Sequence, residues 1–411
     1  MKKIFFVSYG GGHIKIVDLI CRQLAQRADV DFSILALTTA HAQVIDRYGP
    51  LRVKRVSDYL ELFDDSIDEI LRCGLELVGD SHNSELGIPR FESLAYMGVC
   101  YHDLVRQHGE EEAGRRYAER GRQAFLPVEA LRRIIEHEQA DTVVATTSPR
   151  CEQAALIAGN ELGLKTVEVL DLCGELYPLP EAQHIVVLNE EVEASLRRQG
   201  LEDRTYHSLG QPAFEETVQR VAAVDAVAVR ERMQISAGAQ VLLFAAHRLV
   251  VFDKDFSVKR FLPYDAVYNR LFGLFDRLTE EFDLEILLRL HPSESRSDYA
   301  PYLARHPQVR LVNDELNLYE SIAVADYVLT GSSTVGIESL LCGKTALTFM
   351  HELDEYYPQP RAQQPPFIFS RGLDELEESL RSVLQNGHEF DLKSIYRPNA
   401  AENIGELLAV L

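Results

Sequence analysis

At 411 residues, with 46% hydrophobic and 26% charged, the chain has the composition of an ordinary soluble globular protein and a length that favours two domains over one. Its net charge of −22 sets it against nucleic acid as a partner and weakens attraction to an anionic membrane surface. The six cysteines are scattered without a CxxC pair, which argues against a zinc site and a disulfide framework and points to the cytoplasm, and no apolar run reaches bilayer length.

The N-terminal MKKIFFVSYGGGH reads as a first β-strand, Lys3–Ser8, running into a glycine turn. It turns into the glycines too early for a signal peptide. Helical periodicity covers Ile14–Arg27, and Asp31–Leu37 reads as the next strand. Residues 57–125 break the alternation: they are mostly helical, rich in Glu and Arg, and read as a helical insertion. Alternation resumes with strands at Thr142–Thr147, Lys165–Leu170 and Ile185–Leu188, and helices at Cys151–Leu162 and Glu190–Gln199. Gly210 and Pro212 then interrupt the pattern, and one polar helix is expected up to Met233.

The later strands are Val241–Ala245, Glu285–Arg289, Val309–Val312, Tyr327–Leu329 and Ala346–Phe349, with a closing amphipathic helix at Asn399–Leu411. The expected domains are 1–212 with the insertion, 213–398, and the C-terminal helix 399–411. Strand–helix alternation of this kind predicts an α/β protein with two doubly wound, Rossmann-like sheets facing a central cleft. Ligands in such sheets lie outside the carboxyl ends of the strands, so residues just after each strand are the candidates.

Gly10-Gly11-Gly12-His13 follows the first strand. The glycines allow a sharp turn and close approach to a ligand, and His13 can donate to an oxygen or act as a general base. Thr146-Thr147-Ser148-Pro149-Arg150 brings small hydroxyls and a cation to another strand end, suited to a sugar or an anion. Asp171 stands at the next one, either as a base for an acceptor hydroxyl or as the cap of a turn. In the second half, His247-Arg248 ends its first strand and could clamp phosphate oxygens; Arg289 is ambiguous. His291-Pro292 follows the next strand, where a fixed donor would stabilise a departing phosphate. Gly331-Ser332-Ser333-Thr334, between a strand and a helix, forms a small-residue turn suited to phosphate, with Glu338 placed to accept from ribose hydroxyls.

This order of motifs resembles the GT-B family of nucleotide-sugar enzymes over most of the chain outside the insertion. GGGH looks like the glycine loop of MurG-like glycosyltransferases, in a shorter form. HIVVLNEEVEASLRRQG followed by HSLGQPAFE is similar to the end of the N-terminal domain in that superfamily. His291-Pro292 with Ser332-Ser333 looks like the HP and serine motifs of bacterial sialyltransferases and of capsule Kdo and glycerol-phosphate transferases, where they hold the nucleotide phosphate. Glu338 matches the ribose-binding glutamate by position. The order is also similar to non-hydrolysing UDP-GlcNAc 2-epimerases, whose late turn carries serine, two glycines and paired glutamates; here Glu338 stands alone.

The resemblance implies an inverting, metal-independent glycosyltransferase of glycoconjugate or surface polysaccharide synthesis, using an NDP- or CMP-sugar. Arg248, His291, Ser332, Ser333, Thr334 and Glu338 would hold the nucleotide. Gly11, Gly12, Thr147, Ser148 and Arg150 would hold the sugar or acceptor, with His13 or Asp171 as base. No cofactor is expected beyond the nucleotide-sugar substrate, and no metal. The acceptor (sugar, lipid-linked or other), peripheral membrane association and a homodimer stay open. A sugar-nucleotide epimerase and a non-catalytic sugar-nucleotide binding protein are the alternative readings.

Overall fold

The computed structural model describes residues 1–79, 82, 86–171, 180–246, 250–252, 258–261, 264–291, 294–331, 333–350, 366–392 and 396–411. The strands in chain order are β1 (Lys2–Ser8), β2 (Val30–Ala36), β3 (Val53–Lys54), β4 (Thr142–Ala145), β5 (Lys165–Val169), β6 (His184–Val187), β7 (Thr205–Ser208) and β8 (Gln240–Ala245). They continue as β9 (Val250–Phe252), β10 (Val258–Phe261), β11 (Leu284–Arg289), β12 (Val309–Leu311), β13 (Tyr327–Thr330), β14 (Thr345–Met350) and β15 (Ile368–Arg371).

Two parallel sheets result, ordered β3-β2-β1-β4-β5-β6-β7 and β12-β11-β8-β13-β14-β15, with β9 and β10 forming a separate antiparallel pair. In each sheet the order reverses beside its first strand, at β1/β4 and at β8/β13, giving one switch point per sheet. The two-sheet α/β class expected from the sequence is the class that forms. Several elements differ from the sequence reading, which has no counterpart for β3, β7, β9, β10 and β15. β7 and β15 lie at sheet edges and are largely half-buried or exposed, so they lack the apolar runs that betray central strands. The helix expected up to Met233 is two helices, Pro212–Ala222 and Ala226–Arg232, because the Asp225 side chain accepts from the Ala228 N–H at 3.0 Å and starts a new one.

The chain divides into two compact units, residues 1–213 with 397–411, and residues 214–396. In the first, β1 alternates its side chains into two cores. Ile4 and Phe6 pack with helix Gly12–Leu24 and with Ile404 and Leu408 of the C-terminal helix Ala400–Val410. Phe5 and Val7 pack on the other face with Tyr59, Ile70, Tyr96 and Met97 of the insertion. The insertion is therefore continuous with the sheet's own core. It comprises a 3₁₀ segment Val56–Ser66 and helices Ile67–Val78, Arg90–His108 and Glu110–Arg120. In the second unit, Leu242 and Phe244 of β8 enter one core and Val241 and Leu243 the other.

Two insertion helices cross on glycine. A Cβ on Gly98 would fall 2.2 Å from the Ile70 carbonyl oxygen, and one on Gly74 2.3 Å from that of Leu94. Neither obstacle is a movable side-chain tip, so the helices would have to separate. Gly98→Ala is expected to cost about 1–3 kcal/mol, the usual range for overpacking. Calorimetry should read this as a Tm lower by on the order of 5 °C. An unchanged Tm would show that the crossing is not tight.

Candidate functional site

At the carboxyl end of β1 the chain must turn at once into helix Gly12–Leu24. A Cβ on Gly10 would stand 1.8 Å from Thr39 Oγ1, and Gly11 has φ 74° and ψ −132°, a conformation open to glycine. This turn delivers His13 to the end of β4, across the switch point. His13 Nδ1 lies 2.6 Å from Thr146 Oγ1, and Thr146 Oγ1 donates to Glu152 Oε2 at 2.5 Å.

Glu152 is fully buried in the first turn of helix Cys151–Glu161, where the helix dipole favours an anion. Its Oε1 accepts from the Tyr9 N–H at 2.7 Å. Its Oε2 accepts from the N–H groups of Thr146 at 3.0 Å and Ser148 at 3.3 Å. Burial raises its pKa, while these donors pull it back part of the way. Its backbone partners can only donate, so both of its oxygens accept.

That settles the proton of Thr146. A hydroxyl has one hydrogen, and here it goes to Glu152. Thr146 Oγ1 must therefore accept from Nδ1–H of His13, which leaves the Nε2 lone pair uncommitted within the chain Glu152–Thr146–His13. Asp171 Oδ2 lies 3.7 Å from the same Nδ1, an electrostatic neighbour at longer range. The Asp171 N–H donates to Thr147 Oγ1 at 3.3 Å, and Gln211 Nε2 donates to the Asp171 carbonyl at 3.1 Å. His13, Thr146, Thr147, Ser148 and Asp171 are thus brought together. Gly11 and Gly12 face open space where a Cβ would be. Arg150 adopts a strained φ of 73° and lays its guanidinium 4.7 Å above the Tyr9 ring.

One strand further, Glu168 of β5 is 3% exposed and accepts from the Glu181 N–H at 3.0 Å. Burial pushes its pKa up to about 8, and the charges of Glu152 and Glu181 push the same way.

In the second unit the switch point is closed by Thr330 Oγ1 of β13, which donates to the Ala245 carbonyl of β8 at 3.0 Å. Beyond it, Ser333 Oγ accepts from the Val335 N–H at 3.3 Å as the seven-residue helix Val335–Leu341 begins. Glu338 accepts from Thr217 Oγ1 at 2.8 Å and from Thr334 Oγ1 at 3.3 Å. Each hydroxyl orients one carboxylate oxygen. His291 is exposed at the end of β11, in a turn fixed from below. Its N–H donates to Glu294 Oε2 at 3.1 Å, Tyr299 donates to Glu294 Oε1 at 2.7 Å, and Asn313 pairs with both backbone groups of Leu290 at 2.8 and 3.0 Å.

Arg289 is structural: it donates to the Leu316 carbonyl at 2.8 Å and lies 3.3 Å from Ser321 Oγ. His247, Arg248, Pro292 and Ser332 lie outside the described residues. Sequence reasoning missed Glu152, Thr217, Glu294 and Asn313. A glutamate in a helix's first turn is a usual stabiliser, so the only trace of Glu152 was its place directly after the hydroxyl-rich strand end. Among the described residues no group of His, Cys, Asp and Glu is arranged to hold a metal, and no helix is long and apolar enough to cross a membrane.

No protein-family model matches the chain, and no curated protein does. Solved structures match along its whole length. The UDP-GlcNAc 2-epimerase of Methanocaldococcus jannaschii is 13% identical with a TM-score of 0.60, covering 100% of both chains. The UDP-GlcNAc 2-epimerase of Neisseria meningitidis, bound to UDP-GlcNAc, is 12% identical with a TM-score of 0.59 and the same coverage. Acinetobacter baumannii MurG is 11% identical with a TM-score of 0.55, again covering 100% of both. At such identities the likeness establishes the architecture: the chain has the GT-B fold, two Rossmann-like sheets with a helical insertion in the first unit.

Two outcomes are expected. The network makes Nδ1–H the dominant His13 tautomer, and Thr146→Val should abolish that preference in ¹⁵N-resolved NMR of the imidazole; an unchanged tautomer would break the Glu152–Thr146–His13 chain. For Glu168 the folded-state pKa lies above the unfolded value of 4.5. Its contribution to stability is therefore complete below about pH 4.5 and is lost as pH rises toward 8. Glu168→Gln should raise Tm by a few degrees at pH 8 and leave it unchanged at pH 4, as followed by thermal unfolding.

Proposed function

We propose that the protein is a glycosyltransferase that moves a sugar from a nucleotide-activated donor, an NDP- or CMP-sugar, to an acceptor hydroxyl, with inversion and without a metal. The observation that carries this reading is the His13 relay. A histidine whose Nδ1 proton is committed to Thr146 presents its other nitrogen as a base, which transfer to a hydroxyl requires. Nε2 would take the acceptor proton as the acceptor oxygen bonds to the anomeric carbon. The bond from that carbon to the phosphate oxygen breaks on the opposite face, and its electron pair leaves with the nucleotide.

The second unit would hold the nucleotide. His291, on its braced turn, would donate to the leaving phosphate, and Arg248 would share that role. Ser332, Ser333 and Thr334 would line the phosphate turn, and the oriented Glu338 carboxylate would accept from the ribose. Asp171 would add negative charge beside His13 and stabilise the imidazolium formed when the proton arrives.

A second reading, a sugar-nucleotide epimerase, is favoured by the number of UDP-GlcNAc 2-epimerases among the structural neighbours. It needs no acceptor. Incubation with UDP-GlcNAc alone, followed by proton NMR, separates the two readings: a new C2 epimer or an eliminated sugar would establish the epimerase. For the transferase, a nucleotide among CMP, CDP, UDP, GDP and dTDP should raise Tm. His291→Ala and Glu338→Ala should reduce that shift, whereas His13→Ala should leave it intact. Equal shifts in all three variants would remove the nucleotide site from the second unit.

A further inference from the structure

A cavity of about 630 Å³ opens in the first unit between the ends of β1 and β2 and the helical insertion. Its floor is the backbone of Gly10 and Gly11 with Thr38 and Thr39. Gly11 presents no side chain and has no atom within 4 Å of where a Cβ would stand, so polyhydroxylated groups can approach the backbone here. The floor belongs to the same glycine turn that leads into the helix carrying His13.

The wall toward the insertion is different in character. Val78, Ile88 and Met97 contribute hydrocarbon, and the polar groups among them are already engaged. Glu92 accepts from the N–H groups of Val56 and Ser57 at 3.2 and 3.0 Å. Ser93 Oγ pairs with His82 Nδ1 at 3.0 Å, and Tyr96 pairs its hydroxyl with that of Tyr9 at 2.9 Å. A ligand therefore meets apolar surface on this side. The apolar path continues outward: Leu86 lines the cavity while remaining 52% exposed. Arg122 is the cavity's one cationic side chain among the described residues; it disfavours cationic ligands without setting the class.

We infer that this cavity is the binding site for an amphipathic glycoside, its sugar on the glycine floor and its apolar aglycone along the insertion wall toward Leu86. Its role as the acceptor rests on the transferase reading; the binding itself does not.

The test compares n-octyl β-D-glucoside, kept below its micelle-forming concentration, with methyl β-D-glucoside by titration calorimetry on the full chain. Each methylene buried on the wall is worth roughly fourfold in affinity. The octyl compound should therefore bind at least tenfold tighter than the methyl one. Ile88→Trp should weaken octyl binding at least tenfold, and Leu86→Trp, at an exposed position that tolerates substitution, should weaken it as well. Both variants should keep the nucleotide-induced rise in Tm, which reports a separate site and a folded chain. Equal affinity for the two glucosides, or octyl binding indifferent to both variants, would overturn the inference. Selective octyl binding without any nucleotide response would instead sink the transferase reading and leave the cavity assignment standing.

Discussion

The ends of β1 and β4 are held together by one buried carboxylate. Glu152 has left water entirely, and a charge in that position is tolerable only if its oxygens are supplied with donors. Tyr9, Thr146 and Ser148 supply backbone N–H groups and Thr146 adds its hydroxyl, so the loops after two different strands converge on one side chain. The glycine turn exists within this constraint. Tyr9 is tied to Glu152 and Thr39 crowds Gly10, so only a chain without Cβ groups can reach the helix that carries His13. The tautomer of His13 is then a consequence of who owns a proton two residues away in space.

The second unit repeats the strand order and closes its switch point by a lighter device, a neutral hydroxyl-to-carbonyl bond between Thr330 and Ala245. The polar residues near its strand tips are braced from beneath: Glu294 and Asn313 hold the turn of His291, and Thr217 and Thr334 hold Glu338. Bracing of this kind removes rotamer freedom before any ligand arrives, which lowers the entropic cost of binding. The helical insertion is built on the same logic. It shares a core with β1 and β2, and through Tyr96 and Met97 that core reaches the cavity.

How much of this was legible depended on where a residue's reason lay. Central strands such as β1, β8 and β13 are largely buried on both faces, so each holds a short unbroken apolar run visible at a glance. Edge strands β7 and β15 carry Tyr, His, Ser and Arg half in water and looked like loop. His13, Asp171 and His291 were legible because they follow strands directly. Glu152 was not, since its donors come from Tyr9, 143 residues earlier, as well as from its own neighbourhood. Thr217 reaches Glu338 across 121 residues and was invisible for the same reason.

What the amino-acid sequence determined alone was local: the alternation of apolar runs with helical periods, the glycine turn, and the placing of histidines, hydroxyls and carboxylates at strand ends. Those follow from side-chain period and backbone freedom, which act over a few residues. The tertiary structure decided which of those ends meet, which nitrogen of His13 carries the proton, and that Arg150 lies on Tyr9. It also decided that the insertion and the sheet enclose a half-apolar cavity. These depend on burial and on hydrogen-bond partners distant along the chain, and neither exists until the sheets have formed.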